Sequence, residues 1–237
     1  MIKRESRRII RWLWIMLLLT ISTQCLWITS YAQVVEDIMP QKNSVKTKCL
    51  DIDTDIPYIN SPYGIVTNEI INQRVHNFMV EMNNTVDEYK ASGYICNYPL
   101  EFKASYNIER NNNNVLSFYM DYYQFAGGAH GMSYREPYTM KKNDGIVLGL
   151  KDLFNSNYNY AEIINKNIRE QINSDKDKYF DGGADFKGVD NKTVFYLTDT
   201  ELVILYGLYE IAPYASGIIE FKINLNNFKD GLKYDTI

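Results

Sequence analysis

Residues 99–125 read PLEFKASYNIERNNNNVLSFYMDYYQF, and the reading of this stretch decides the fold. Two strand-like runs, Pro99 to Glu109 and Val115 to Phe125, flank Arg110 and the four asparagines Asn111 to Asn114. Aromatic and β-branched side chains suit a pleated, half-buried surface. Tyr106, Phe118, Tyr119, Tyr122, Tyr123 and Phe125 supply such a surface. Asparagine tolerates left-handed backbone and bonds its own main chain, so Arg110 and the asparagine run read as a hairpin tip. Upstream, Asn68 to Ala91 places Ile71, Val75, Phe78, Met82, Val86 and Tyr89 at steps of three and four, with Asn and Glu opposite. That spacing predicts an amphipathic helix, closed by Ser92-Gly93. Before it, Leu50, Ile52, Thr54 and Ile56 alternate with Asp51, Asp53 and Asp55, the pattern of a half-buried strand over Cys49 to Pro57. Three carboxylates on one strand face admit calcium, but no glycine-turned calcium loop follows, and a solvated acidic face is the commoner meaning. Gln33 to Lys46 has no periodicity, contains Pro40 and reads as a tether over 33–45. Strand, helix and hairpin make one α+β unit over about 46–126.

Downstream, Gly127-Gly128-Ala129-His130-Gly131 breaks the pattern with a sharp turn or a close backbone approach. Ser133 to Met140 resumes strand character, Asn143-Asp144-Gly145 is a hairpin-turn signal, Ile146 to Leu150 continues, and Lys151 to Phe154 starts a short helical piece. Tyr160 to Ile172 predicts a second amphipathic helix on Ile163, Ile164, Ile168 and Ile172. Ser174 to Asn191 is charged, holds Gly182-Gly183 and reads as a mobile surface loop. Thr193 to Leu197 and Leu202 to Tyr206 form a hairpin around Asp199-Thr200. Glu210 to Ser216 is a loop, and Gly217 to Leu225 a last strand. The expected fold is therefore α+β, with two small tandem α+β domains, mainly antiparallel sheets and one main helix in each. The second domain spans about 127–228, with a tail over 229–237. Units this small are expected to share an interface.

Composition narrows the chemistry. The chain has 237 residues, 46% hydrophobic and 23% charged, as a folded protein does. Three cysteines exclude a disulfide-dense scaffold. The two histidines, His76 and His130, leave little room for His-rich metal catalysis or for most Ser-His and Cys-His triads. No metal and no cofactor are expected, and a net charge of −4 argues against nucleic acid as a partner. The totals of 20 Tyr and 24 Asn fit the codon bias of an AT-rich genome, which leaves local clusters as recognition candidates.

The first 32 residues have their own logic. Lys3, Arg4, Arg7, Arg8 and Arg11 precede the apolar run Trp12 to Leu19, which Thr20 to Ile28 continues weakly, and Ser30-Tyr31-Ala32 puts small residues at −3 and −1. That is the order of a secretory signal peptide cleaved after Ala32. The rival is an uncleaved anchor, since Trp12 to Ile28 is 17 residues, the short end of what spans a bilayer. Gln24 is the wrong residue before Cys25 for a lipoprotein. Either way the remainder is extracytoplasmic, secreted or held on the outer face of the cytoplasmic membrane. Without residues 1–32 the 25 Lys+Arg and 29 Asp+Glu lose five and one, leaving 20 against 28 and a net charge of −8. Such a charge serves solubility and also draws a basic partner. Cys49 and Cys96 remain, a disulfide candidate in an oxidising compartment, or two free thiols in an anaerobe or a Gram-positive envelope.

The stretch Phe125 to Gly131, with Gly145-Ile146-Val147-Leu148 and Lys151-Asp152-Leu153-Phe154, resembles a bacterial envelope module. So does Phe195-Tyr196-Leu197-Thr198 with Tyr209-Glu210-Ile211-Ala212-Pro213-Tyr214-Ala215-Ser216-Gly217. The module is the pair of uncharacterised domains that accompanies some peptidoglycan deacetylases. It also forms the extracellular part of lysozyme-sensing anti-sigma-V factors. The resemblance covers about 46–228 and is strongest over 121–154 and 193–224. It implies two tandem α+β domains. The deacetylases hold a catalytic metal with one Asp and two His in a separate domain, and neither His76 nor His130 carries that motif. The anti-sigma relatives carry a cytoplasmic segment, for which the 11 residues before Trp12 are too few. The expectation is a non-catalytic extracytoplasmic binding module of the cell envelope, whose partner is lysozyme or another basic protein, or peptidoglycan. Tyr209, Glu210, Pro213, Tyr214 and His130 are the expected binding residues, because tyrosine anchors and acidic rims suit a basic partner. The opposing reading makes this loop a structural corner in which Glu210 caps backbone amides. The alternative function is a hydrolase acting on or near peptidoglycan, with His130 as base and the glycine amides polarising a carbonyl. A third reading is an accessory role in envelope assembly with no defined ligand.

Overall fold

Alternating burial builds the first sheet. In β2 (Leu50–Ile59) the side chains of Leu50, Ile52, Thr54 and Ile56 are buried while Asp53 is exposed, so the expected half-buried strand forms. The computed structural model describes residues 37–93 and 96–233. The signal or anchor reading of residues 1–32 lies outside them. β1 (Ile38–Lys46) pairs antiparallel with β2 from Ile38↔Ile59 to Lys46↔Asp51. The tether expected up to residue 45 is thus strand from Ile38 onward. Only Ile38 of β1 is buried, so this edge strand is held by main-chain bonds and lacks the alternation by which a strand is recognised. Lys46 and Lys42 on β1 pair with Asp51 and Asp55 at 3.0 and 3.2 Å.

α1 (Ile65–Ala91) carries the chain from β2 to β3 (Leu100–Asn111), which lies parallel to β2. Ile71, Val75, Met82 and Val86 of the expected stripe are buried against Ile52, Phe102 and Phe118. Phe78 stacks on Phe102 with ring centroids 5.0 Å apart. The helix starts three residues before Asn68, and Asn68 locks the corner: its Oδ1 accepts from the Ile59 N–H at 2.9 Å and its Nδ2 donates to the Ile59 carbonyl at 3.0 Å. A disulfide joins Cys49, just before β2, to Cys96, just before β3.

β4 (Val115–Phe125) and β5 (Met132–Lys141) complete the order β1-β2-β3-β4-β5, antiparallel except for β2 and β3. β4 and β5 pair from Val115↔Lys141 to Gln124↔Met132, so the first sheet runs past residue 126. The hairpin tip is tighter than expected. Asn112 Oδ1 accepts from the N–H groups of Asn114 and Val115, whereas Arg110 stays in β3, 3% exposed. Ile146 to Leu150 does not continue as strand: a single bridge, Met140↔Val147, precedes a 3-10 turn at Leu150–Leu153.

The second layer sets α2 (Tyr160–Ser174) on the antiparallel sheet of β6 (Val194–Leu197), β7 (Glu201–Tyr206) and β8 (Ile219–Asn224). Ile164, Ile168 and Ile172 share a core with Phe195, Leu202, Phe221 and Phe228. The fold is α+β with one main helix per sheet, as the patterning implied. Side chains join the two sheets. Ser117 Oγ accepts from the Leu197 N–H and is hydrogen-bonded to Thr139 Oγ1, both at 2.8 Å. One guanidinium nitrogen of Arg110 donates to the carbonyls of Thr198 and Asp199 at 2.9 and 3.2 Å.

Candidate functional site

The glycine-rich loop between β4 and β5 is shaped by what crowds it. Gly127 and Gly128 sit at φ +94° and +98°, in the left-handed region that glycine enters without strain. The Tyr89 hydroxyl of α1 donates to the Ala126 carbonyl at 2.9 Å. A Cβ on Gly131 would meet the Tyr123 ring at 2.5 Å, so the close approach read from the sequence is real. The loop after β7 comes to the same place. The Tyr214 hydroxyl donates to the Gly131 carbonyl at 2.8 Å, and the Tyr214 ring stacks on His130 with centroids 4.2 Å apart. Tyr209 lies 5.7 Å from Tyr214, half exposed and itself at φ +66°.

Folding therefore brings His130, Tyr209 and Tyr214 into one aromatic rim, from segments that are distant in sequence. Pro213 is exposed at the start of the 3-10 turn Tyr214–Ser216. Glu210 is divided in its role. Its Oε2 accepts from the Gly207 N–H at 3.0 Å, the backbone cap of the corner reading, yet the residue is exposed. His130 Nδ1 lies 3.0 Å from the Gly131 carbonyl. A carbonyl only accepts, so Nδ1 carries the proton in this contact. With its ring face covered by Tyr214, the imidazole is held as a clasp on the turn.

Tyr214 also borders an open groove of about 880 Å³ on the sheet face opposite α1. Asp53, Asp55, Asp121 and Glu220 line it against two cations, Lys103 and Arg135, together with Tyr123 and Tyr134. Arg135 is its keystone. Its Nε and one terminal nitrogen bind both oxygens of Asp121 at 2.6 Å, the other terminal nitrogen binds Glu220, and the guanidinium lies 3.8 Å from the Tyr119 ring centroid. Desolvation opposes the charge on Arg135, but the carboxylates outweigh it and its pKa is raised. The Tyr196 hydroxyl completes the set on Glu220 at 3.2 Å, and burial pushes that phenol well above its ordinary range. Among the described residues no group of three or more His, Cys, Asp or Glu side chains converges as a metal site.

The groove is the feature that sequence reading missed. Its walls come from β2, β3, β4, β5, the β7–β8 connection and the start of β8. The only signal available in advance was the acidic face of β2.

Two family models match the chain one after the other, neither over half of its length. Residues 43–133 match the family model described as Deacetylase PdaC, and residues 151–226 match the one described as Protein of unknown function (DUF3298). The anti-sigma-V factor RsiV of Bacillus subtilis is 38% identical over 92 residues, which cover 35% of this chain and 32% of that protein. The chain thus spans about a third of the length of this curated relative. Two crystal structures share the fold at 19% identity. One, a member of the DUF3298 family from Bacteroides fragilis, has a TM-score of 0.58 and covers 83% of this chain and 94% of its own. The other, a DUF3298 family protein from Pseudomonas aeruginosa, has a TM-score of 0.55 and covers 84% and 94%. The two models matched are those of the domain pair that the residues resembled.

Proposed function

We propose that this chain is a non-catalytic extracytoplasmic binding module of the bacterial cell envelope, and that its aromatic rim and acidic groove receive a basic protein surface. Lysozyme is the first partner to test. The observation that carries the reading is the double place of Tyr214, stacked in the His130–Tyr209 rim and lining a groove with more carboxylates than cations. Aromatic anchors beside a net negative surface suit a cationic partner, and the −8 of the chain beyond residue 32 steers it there. The hydrolase alternative would need a nucleophile or a metal-bound water for His130 to serve, and among the described residues no group of three or more His, Cys, Asp or Glu side chains gathers as a metal site.

The test is calorimetry of lysozyme against the chain from Gln33 onward, which keeps the unit from Ile38 whole. Binding is expected to weaken from low to physiological salt. Tyr209→Asn removes a ring while accepting the left-handed backbone, and is expected to cost about tenfold in affinity, ~1.4 kcal/mol. Glu210→Gln keeps the bond to Gly207 and removes only charge, so its effect should shrink as salt rises. Absence of binding at both salts removes lysozyme, and a pull-down with peptidoglycan then decides whether the groove takes cell-wall glycan.

A further inference from the structure

The first sheet has two ends. At one, here called proximal, the chain comes in at Ile38, paired with Ile59, and α1 begins at Ile65. Because β3 runs parallel to β2, the Asn112–Asn114 tip and the Lys141–Val147 turn lie at the same end. The distal end holds the glycine-rich loop and the Tyr209–Tyr214 rim. β4 runs from one end to the other, eleven residues or about 33 Å.

The three most exposed aliphatic side chains among the described residues are Ile65 at 67%, Val66 at 62% and Ile146 at 53%, and all three are proximal. Gly145 has no room for a Cβ beside the Tyr63 carbonyl, which brings the Ile146 turn against the start of α1. Met39, Tyr58 and Val147 extend the patch, and Lys142 sits 5.9 Å from the Tyr63 ring centroid at its margin. The Asp144 carboxylate at the same turn is engaged by the Ile146 N–H at 3.1 Å and by Lys141 at 2.8 Å. An apolar patch edged by tyrosine and lysine is the chemistry of a headgroup boundary, where aliphatic side chains insert and lysines reach the surface. The chain ahead of the structure points the same way. Only residues 29–37 separate Ile38 from the apolar run Trp12 to Ile28, a reach of about 35 Å at most.

We propose that the proximal end rests on a lipid bilayer, inserting Ile65, Val66 and Ile146 shallowly and holding the aromatic rim about 33 Å away from it, towards the partner. The proposal rests on the anchored reading of residues 1–32. Net charge alone would keep the molecule off an anionic surface, so the tether and the patch act together: the tether supplies local concentration and the patch sets orientation.

The test uses the full chain in nanodiscs of phosphatidylcholine and phosphatidylglycerol doped with a gadolinium-chelating lipid. Most of the methyl NMR intensity of Ile65 and Ile146 should be lost, while Ile218, near the distal rim, keeps its own. Equal losses, or a larger loss at Ile218, overturn the proposal. Ile65→Ser combined with Val66→Ser should leave the melting temperature and lysozyme binding unchanged and abolish the difference at Ile146. The mass of the exported protein separates the two failures. A chain beginning at Gln33 removes the anchored reading and the proposal with it, whereas an intact amino-terminal segment without differential broadening removes the proposal alone.

Discussion

Of the side chains that join the sheets, Ser117 and Arg135 each make a prediction. Ser117 is fully buried and its hydroxyl accepts from the Leu197 N–H, so Ser117→Ala leaves a buried donor unpaired. The expected loss is about 2 kcal/mol, read as a lower urea midpoint at unchanged slope. An unchanged midpoint would mean that the hydroxyl is not the joint. Arg135→Met keeps packing length and strands Asp121 and Glu220. Breaking a buried ion pair costs about 3–5 kcal/mol, and because Asp121 keeps 38% of its side-chain surface, about 2 kcal/mol is expected here. A double-mutant cycle with Asp121→Asn should return a coupling above ~1 kcal/mol, and a coupling near zero sinks the keystone role. At this scale the sequence was legible where residue type alone settles the matter, as at Gly127 and Gly128. It was silent on Arg110, Ser117 and Arg135. Each is an ordinary strand residue whose partner in the other sheet is 80 or more positions away in Thr198, Leu197 or Glu220, and no local pattern encodes such pairs.

Among the elements, periodic ones were readable and aperiodic ones were not. α1, α2 and β2 bury one face each, and one-sided burial writes a period into the sequence; β4, whose Val115 to Phe118 are all buried, was legible from its aromatic run and the asparagine tip before it. β1 buries only Ile38, so nothing distinguishes it from a tether. The Cys49–Cys96 disulfide ties the start of β2 to the start of β3 across the whole of α1, 47 positions apart. In the chain-entropy model that link is worth about 4 kcal/mol. Cys49→Ser with Cys96→Ser should therefore lower unfolding free energy by roughly that amount, and reductant should do the same to the parent chain. A loss below ~1 kcal/mol would show that α1 and its core already restrain the ends.

At the scale of the whole molecule, the tyrosines set the alkaline limit. Burial pushes the Tyr206 hydroxyl up to about 12 from its usual 10, and Tyr122, Tyr138 and Tyr196 move the same way. A folded-state pKa above the unfolded one means that the unfolded chain releases protons first, so this contribution to stability is complete below pH 10 and falls as pH rises through 12. Denaturant midpoints measured between pH 8 and 12 should stay level and then drop above about 10. A level profile to pH 12 would mean that these phenols are solvated. By itself the sequence determined the class of fold, the two main helices, the β3–β4 and β6–β7 hairpins and the resemblance to the two domain families, and it offered Tyr209 and Tyr214 as recognition candidates. Those depend on side-chain periodicity, turn chemistry and motif, which are local. Only the tertiary structure decided that His130 and Tyr214 stack, that Glu210 spends one oxygen on Gly207, that six elements line an acidic groove, and that the most exposed aliphatic residues among those described gather where the chain comes in. Those depend on which strand lies beside which, and the parallel placing of β3 beside β2 through α1 is a choice made by the packing of the whole core.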